Sequence, residues 1–162
     1  MNKSGGETIC WQSPVGPLYI TLNAKAVHAI DFKGRATAKA PPTEMAPLFS
    51  KVASQLEDYF AGKRRSFNLP LDPAPEGTEF QKKIWAALRS IPHGEVLTYA
   101  DLAKWAGSPR AARAAGSACG ANRIAIVIPC HRAVSKSGLG GFGGGLPLKK
   151  KLLHLESEGA LP

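Results

Sequence analysis

A proline, a cysteine, a histidine and an arginine follow one another at Pro129, Cys130, His131 and Arg132. A thiol becomes a strong nucleophile only where its surroundings favour the thiolate. His131, Arg132 and the backbone amides of a turn are the groups at hand to do so. A base at His131 needs an orienting partner, and Glu156 and Glu158 are the available carboxylates. Cys130, His131 and one of these glutamates would form a nucleophile–base–orienter relay. Adjacent residues of an extended chain point to opposite sides, so Cys130 and His131 meet only through a turn or a bridging water. Pro129 cannot donate a ladder hydrogen bond, which favours leaving a strand at that point. Taken alone, a Cys-His dipeptide is weak evidence, because cysteine is among the most buried residue types.

The segment GLGGFGGG, residues 138–145, holds six glycines in eight positions. Glycine lets backbone N–H and C=O groups approach a flat ligand edge closely. No Gly-Lys-Ser/Thr follows, so the pattern is not a phosphate-binding loop.

The elements that must position these groups fall into two parts. ETICWQS, PLYITLN and VHAIDFKG, separated by SPVG and NAKA, predict a three-strand antiparallel meander. Met45, Leu48, Phe49, Val52, Leu56, Tyr59 and Phe60 recur at helical spacing and predict a long amphipathic helix. Prolines and the lack of a helical stripe place a linker around residues 71–78. Beyond it, Phe80, Ile84, Ala87, Leu88 and Ile91 form one apolar face. A short helix over TYADLAKWAG follows, capped at Thr98 or Tyr99 and ended at Gly107. A third helix is expected to start with Ser108 as N-cap and Pro109 at its first position. The tight AGSP connection gives helix-turn-helix geometry. IAIVI, residues 124–128, reads as a buried strand delivering Cys130, and LPLKKKLLHLESEG as a final helix.

The third helix is nearly all Ala, Gly and Ser, with Arg110 and Arg113. A major-groove reading helix carries long polar side chains. This one would instead suit the minor groove, about 6 Å wide, with Arg113 reaching into the base stack. Close helix–helix packing is the competing reason for so many small residues.

Composition is that of an ordinary globular chain: 162 residues, 44% hydrophobic and 20% charged. Neither an apolar run of spanning length nor a signal-peptide pattern is present in the sequence, so an intracellular, cytoplasmic-type protein without a membrane role is expected. Cys10, Cys119 and Cys130 are an odd, sparse set, read as free thiols rather than a zinc site. The net charge of +9 splits as +3 up to Asp72 and +6 beyond it. The bias toward the part with Cys130 suggests a polyanionic partner, nucleic acid first.

IPCHR followed by GLGGFGGG and a K..LL..E helix resembles the active-site region of the 6-O-methylguanine-DNA methyltransferases. GTEFQKKIWAALRSIPHGEVLTYADLAKWAGSPRAARAAGSACGAN extends the resemblance upstream, so that it covers about residues 76–158 strongly. The first 70 residues match in outline, through SPVGPLYI and the helix before the linker. The resemblance implies an α/β (α+β) fold: an N-terminal ribonuclease-H-like domain (1–73) with a three-strand antiparallel sheet and helix, and a C-terminal winged-helix-like helical domain (74–162).

The same resemblance implies direct reversal of damage in duplex DNA. The alkyl group of 6-O-alkylguanine, and of 4-O-alkylthymine, passes once and irreversibly to Cys130 after base flipping, in a monomer that needs no metal or organic cofactor. It gives His131 as a water-linked base, Glu156 as its orienting carboxylate and Asn122 as a brace of the active-site turn. Tyr99 would crowd the target phosphate and hydrogen-bond the flipped base, which Arg113 would replace in the stack. Backbone groups of Cys130, Ala133 and Gly143 would read the guanine edge, beside a wall at Phe142. Ala100, Ser108 and Lys136 fall where the family touches DNA backbone. The chain departs from the family pattern with Arg123 after Asn122 where proline is usual, Phe142 where tyrosine is frequent, and Gly143 where serine can occur. Two other functions fit parts of the pattern: a DNA-binding module that senses alkylated bases, and a cysteine hydrolase using Cys130 and His131.

Overall fold

A computed structural model describes residues 5–72 and 77–162. The expected boundary between 73 and 74, and half of the linker, lie outside the described residues.

Three strands, β1 (Glu7–Ser13), β2 (Gly16–Leu22) and β3 (Val27–Asp31), form an antiparallel sheet in sequence order. Turn side chains set its register. Ser13 Oγ donates to the Gly16 carbonyl at 2.6 Å and accepts from the Val15 amide. Asn23 Oδ1 accepts from the amides of Lys25 and Ala26. Ser13 therefore faces Gly16, and alternate residues such as Leu18, Ile20 and Leu22 point into the core. Helix α1 (Ala46–Phe60) lays Val52, Leu56 and Tyr59, all fully buried, into that core.

Both edges of the sheet are sealed by irregular chain. Thr37 and Ala38 donate to the Thr8 carbonyl on the β1 side. On the β3 side, Val27 exchanges backbone bonds with Pro70 and Asp72, and Ile30 with Arg123 and Ala125.

The second part is helical. Helix α2 (Glu79–Ser90) opens with a capping box between Thr78 and Gln81. Strand β4 (Leu97–Thr98) leads into α3 (Tyr99–Trp105), capped reciprocally by Thr98 and Asp101. Gly107, at φ 77°, ends α3: its amide reaches the Lys104 carbonyl and that of Ser108 the Ala103 carbonyl. Then come α4 (Ala112–Gly120), a single 3₁₀ turn at Cys130–Arg132, β5 (Ala133–Val134) parallel to β4, and α5 (Leu146–Glu158).

Two sequence expectations are corrected. The third helix starts at Ala112 with Ala111 as N-cap, not at Ser108. Ser108 is committed to closing α3, and its carbonyl then holds the Ala111 amide in a turn before α4 begins. IAIVI is not a strand. Ile124 makes one bridge to Ile30, Ile126 adopts φ 71°, and the Ile128 amide returns to the Ile124 carbonyl, so the run is a buried coil of tight turns.

Candidate active site

The coil of turns needs a brace, and Asn122 supplies it. Its Nδ2 donates to the Ile128 carbonyl at 2.8 Å, and its Oδ1 accepts from the Ile124 amide at 3.0 Å. One side chain thus clamps both ends of IAIVI. The pairing of Arg123 and Ala125 with Ile30 adds a second anchor where proline is absent. Val127 and Cys130 donate to carbonyls two residues back, tightening the approach to the 3₁₀ turn.

At that turn neighbouring side chains part. His131 goes inward, fully buried. Its Nε2 donates to Glu156 Oε1 at 2.7 Å, while Nδ1 is buried and has no hydrogen-bond partner in the protein. Burial pushes the His131 imidazole below its ordinary pKa, against the raising effect of Glu156. A neutral ring results, with Nε2–H on the carboxylate and a lone pair at Nδ1. Burial would raise the Glu156 carboxyl, but hydrogen bonds from His131 and Arg132 and the guanidinium charge of Arg132 hold it well below the usual carboxylate range. Of the two glutamates open at the sequence level, Glu156 is the one joined to His131; Glu158 is exposed.

Arg132 does not face the thiol. Its guanidinium is bidentate on Glu156, with Nε at 2.9 Å and Nη2 at 2.8 Å, and Nη1 donates to the Ile91 carbonyl at 2.7 Å. The Gly94 amide and the Tyr59 hydroxyl complete the carboxylate's donors at 3.3 and 3.0 Å.

Cys130 instead lines a cavity of about 540 Å³. Burial pushes its thiol pKa up, opposed by the Asn122 side chain, the charge of Lys149 and backbone amides of the turn. The thiol is therefore protonated at rest, and losing that proton requires a base. Other walls are Tyr99, Gly116, Gly120, Gly141, Phe142 and Gly143, with Ile30 to Lys33 from the end of β3. Phe142 packs on Phe32 with ring centroids 5.4 Å apart. Gly140, at φ 72°, lies so close to the Tyr99 hydroxyl that a Cβ there would collide with it.

Lys149 is a site residue that sequence reasoning missed. Fully buried, its Nζ donates to the carbonyls of Ala133, Leu139 and Gly141 at 2.6, 2.5 and 3.1 Å. It pins the glycine loop to β5 and places a positive charge near both Cys130 and Cys119. Lys149, Leu152 and Glu156 follow one another at helical spacing, and Lys149 is the lysine that opens the K..LL..E pattern, which together single it out among three lysines.

Cys130, Asn122, Tyr99, Phe142 and Gly143 thus share one cavity, with His131 and Glu156 behind it. Ala133 does not line it; this residue is fully buried and its carbonyl is held by Lys149. Arg113 is exposed on α4, whose opposite face buries Ala115, Ala118 and Cys119 and is tied to α2 by Trp85 Nε1 on the Ala118 carbonyl at 2.9 Å. Small residues therefore serve packing on one side of α4 and leave a low, open surface on the other. Ala100 and Ser108 are half-buried, and Lys136 is exposed.

A small antiparallel sheet joined to a helical domain, with one thiol at a cavity wall and a histidine–carboxylate pair behind it, defines a two-domain protein whose chemistry centres on a cysteine. Residues 79–158 match the family model for the 6-O-methylguanine DNA methyltransferase DNA-binding domain, and residues 8–73 that for its ribonuclease-like domain. The chain is 47% identical over 151 residues to the methylated-DNA–protein-cysteine methyltransferase of Methanosarcina barkeri, covering 91% of this chain and 94% of that one. Identity to the protein of the same name from Methanosarcina acetivorans is 43% over 152 residues, covering 91% and 96%. The crystal structure of the Mycobacterium tuberculosis OGT in complex with DNA superposes with a TM-score of 0.84 at 38% identity, over 95% of this chain and 94% of that one. The chain belongs to the 6-O-methylguanine-DNA methyltransferase family.

Proposed function

We propose that this protein repairs alkylated DNA by transferring the alkyl group of 6-O-alkylguanine, and of 4-O-alkylthymine, to Cys130. The observation that carries the reading is the setting of Cys130: a thiol on the wall of a cavity of about 540 Å³, next in the chain to a buried histidine held by Glu156.

In this scheme the thiol proton passes through a water to His131 Nδ1, and Glu156 stabilises the imidazolium that forms. The thiolate sulfur attacks the alkyl carbon. A C–S bond forms as the C–O bond breaks, and the departing electron pair is taken by the base ring, which is protonated as guanine is restored. The thioether has no route back, so each molecule acts once. A base inside a duplex must first be flipped out, at a cost of a few kcal/mol. The open small-residue face of α4 suits the minor groove, and Arg113 fills the gap in the stack. Tyr99 and the glycine loop hold the flipped base, and the basic second part, including Ser108, Ala100 and Lys136, follows the phosphates. The protein works as an intracellular monomer.

The test is intact mass after exposure to a duplex carrying one methylated guanine. One methyl group should be gained, on the peptide holding Cys130, and Cys130→Ala should gain none while still binding DNA. More than one equivalent turned over per protein, or transfer by the alanine variant, refutes the scheme.

A further inference from the structure

Glu156 Oε1 accepts a hydrogen bond from His131 Nε2 at 2.7 Å, and the same oxygen accepts one from the Tyr59 hydroxyl at 3.0 Å. Tyr59 belongs to α1, ninety-seven residues away in the chain. It is fully buried, with its ring packed on Phe60, Phe67 and His93. A side chain placed there touches neither the cavity nor any DNA surface. Burial, and then the Glu156 charge, push its phenol well above the ordinary range, so it stays a hydrogen-bond donor at every working pH.

We infer that Tyr59 is a positioning residue of the His131–Glu156 pair, orienting the carboxylate and limiting how basic the imidazole becomes. The inference rests on the proposed role of His131 as the base. Donors from His131, Tyr59 and Arg132 Nη2 converge on that one carboxylate oxygen and divide its charge. The more Tyr59 draws, the less is left to stabilise a proton on His131. The other charged or titratable groups coupled to the pair are Arg132 on the 3₁₀ turn, His93 on the loop after α2 and Lys149 on α5, with Arg65 on the loop after α1 reaching His93.

The experiment is the pH profile of single-turnover methyl transfer from a duplex bearing one methylated guanine. Tyr59→Phe removes the donor, so the acid-side midpoint should rise by about half a unit, with DNA affinity unchanged. Incorporation of 3-fluorotyrosine at position 59 makes the hydroxyl a stronger donor in the same volume and should move the midpoint down. Opposite shifts support the inference, because a merely structural role would move both the same way or neither. Profiles that coincide with the unmodified protein, or shift together, overturn it. Where Tyr59→Phe fails to fold, the fluorinated protein decides alone: an unmoved midpoint overturns the inference. Absence of transfer by the unmodified protein would instead sink the parent reading.

Discussion

Lys149 Nζ lies 2.6 Å from the Ala133 carbonyl and 2.5 Å from that of Leu139, joining the end of the acceptor turn to the start of the glycine loop through one buried cation. A loop with glycine at 140, 141 and 143 carries few side chains of its own to fix its shape, Phe142 on Phe32 being the main one. The cavity wall at Gly141 to Gly143 therefore depends on a side chain from α5.

Lys149→Met keeps the aliphatic stem and removes all three donors. The buried Ala133 carbonyl left unpaired costs about 1–3 kcal/mol, while those of Leu139 and Gly141 can turn to water. We expect a loss of roughly 1–3 kcal/mol in chemical unfolding, with faster amide exchange confined to the loop. Methyl transfer should fall at least tenfold. Unchanged exchange at residues 139–143 would show that the clamp is not what shapes the loop.

Stability should decline with acid in two steps. His131 has a folded pKa below its unfolded value of about 6.5, so the unfolded chain takes a proton first and stability begins to fall as pH drops past that value. Glu156 is depressed below its unfolded value of about 4.3, so its contribution is complete above that pH and is lost below it. Urea midpoints measured from neutral pH downward should trace both steps. Glu156→Gln should erase the lower one. The same change leaves Arg132 buried without its counter-charge, at a cost of about 3–5 kcal/mol at neutral pH.

Cys119 borders the same cavity as Cys130, but burial pushes its thiol up to about 12. Its thiolate fraction near pH 8 should be roughly a thousandfold below that of an ordinary thiol. Iodoacetamide applied to the native protein should leave Cys119 unlabelled, while the denatured protein labels all three cysteines. Peptide mass spectrometry checks this directly, and rapid native labelling at Cys119 contradicts it.

Arg113 is exposed on α4 and engages only after docking in the proposed scheme. Arg113→Ala should slow transfer from duplex DNA by tenfold or more, since holding a base out of the stack is worth a few kcal/mol. Transfer from a single-stranded oligonucleotide should change by less than about twofold, because no gap needs filling. Equal losses on both substrates would place Arg113 in general DNA binding.

Much of this arrangement is legible in the sequence because its signals are local. Alternation and turn residues give the three strands, Thr98 starts its helix, and Gly107 ends it. The misreadings have identifiable causes. IAIVI is an apolar, β-branched run without period, and such a run looks the same whether extended or coiled. Nothing in it announces that Ile126 takes a positive φ, which tertiary anchoring by Asn122 and Ile30 imposes. Ser108-Pro109 carries a sound helix-start signal, yet the preceding helix captures Ser108 first. The partners of Glu156 are harder still. Arg132 reads as a neighbour of the thiol, and Tyr59 as one more aromatic on the buried face of α1, until folding brings both to a single carboxylate.

The sealing of β3 by Arg123 and Ala125 has a consequence for self-association. A three-stranded sheet left bare would offer its outer strands as templates to other chains. Here the segment that leads to Cys130 also occupies the Ile30 pairing positions, while residues 70–72 occupy those of Val27. Whatever loosens the acceptor coil also uncovers a place where a foreign strand can dock. Damage to the active site and a tendency to aggregate should therefore arise from the same substitutions, those at Asn122 and Ile30 foremost.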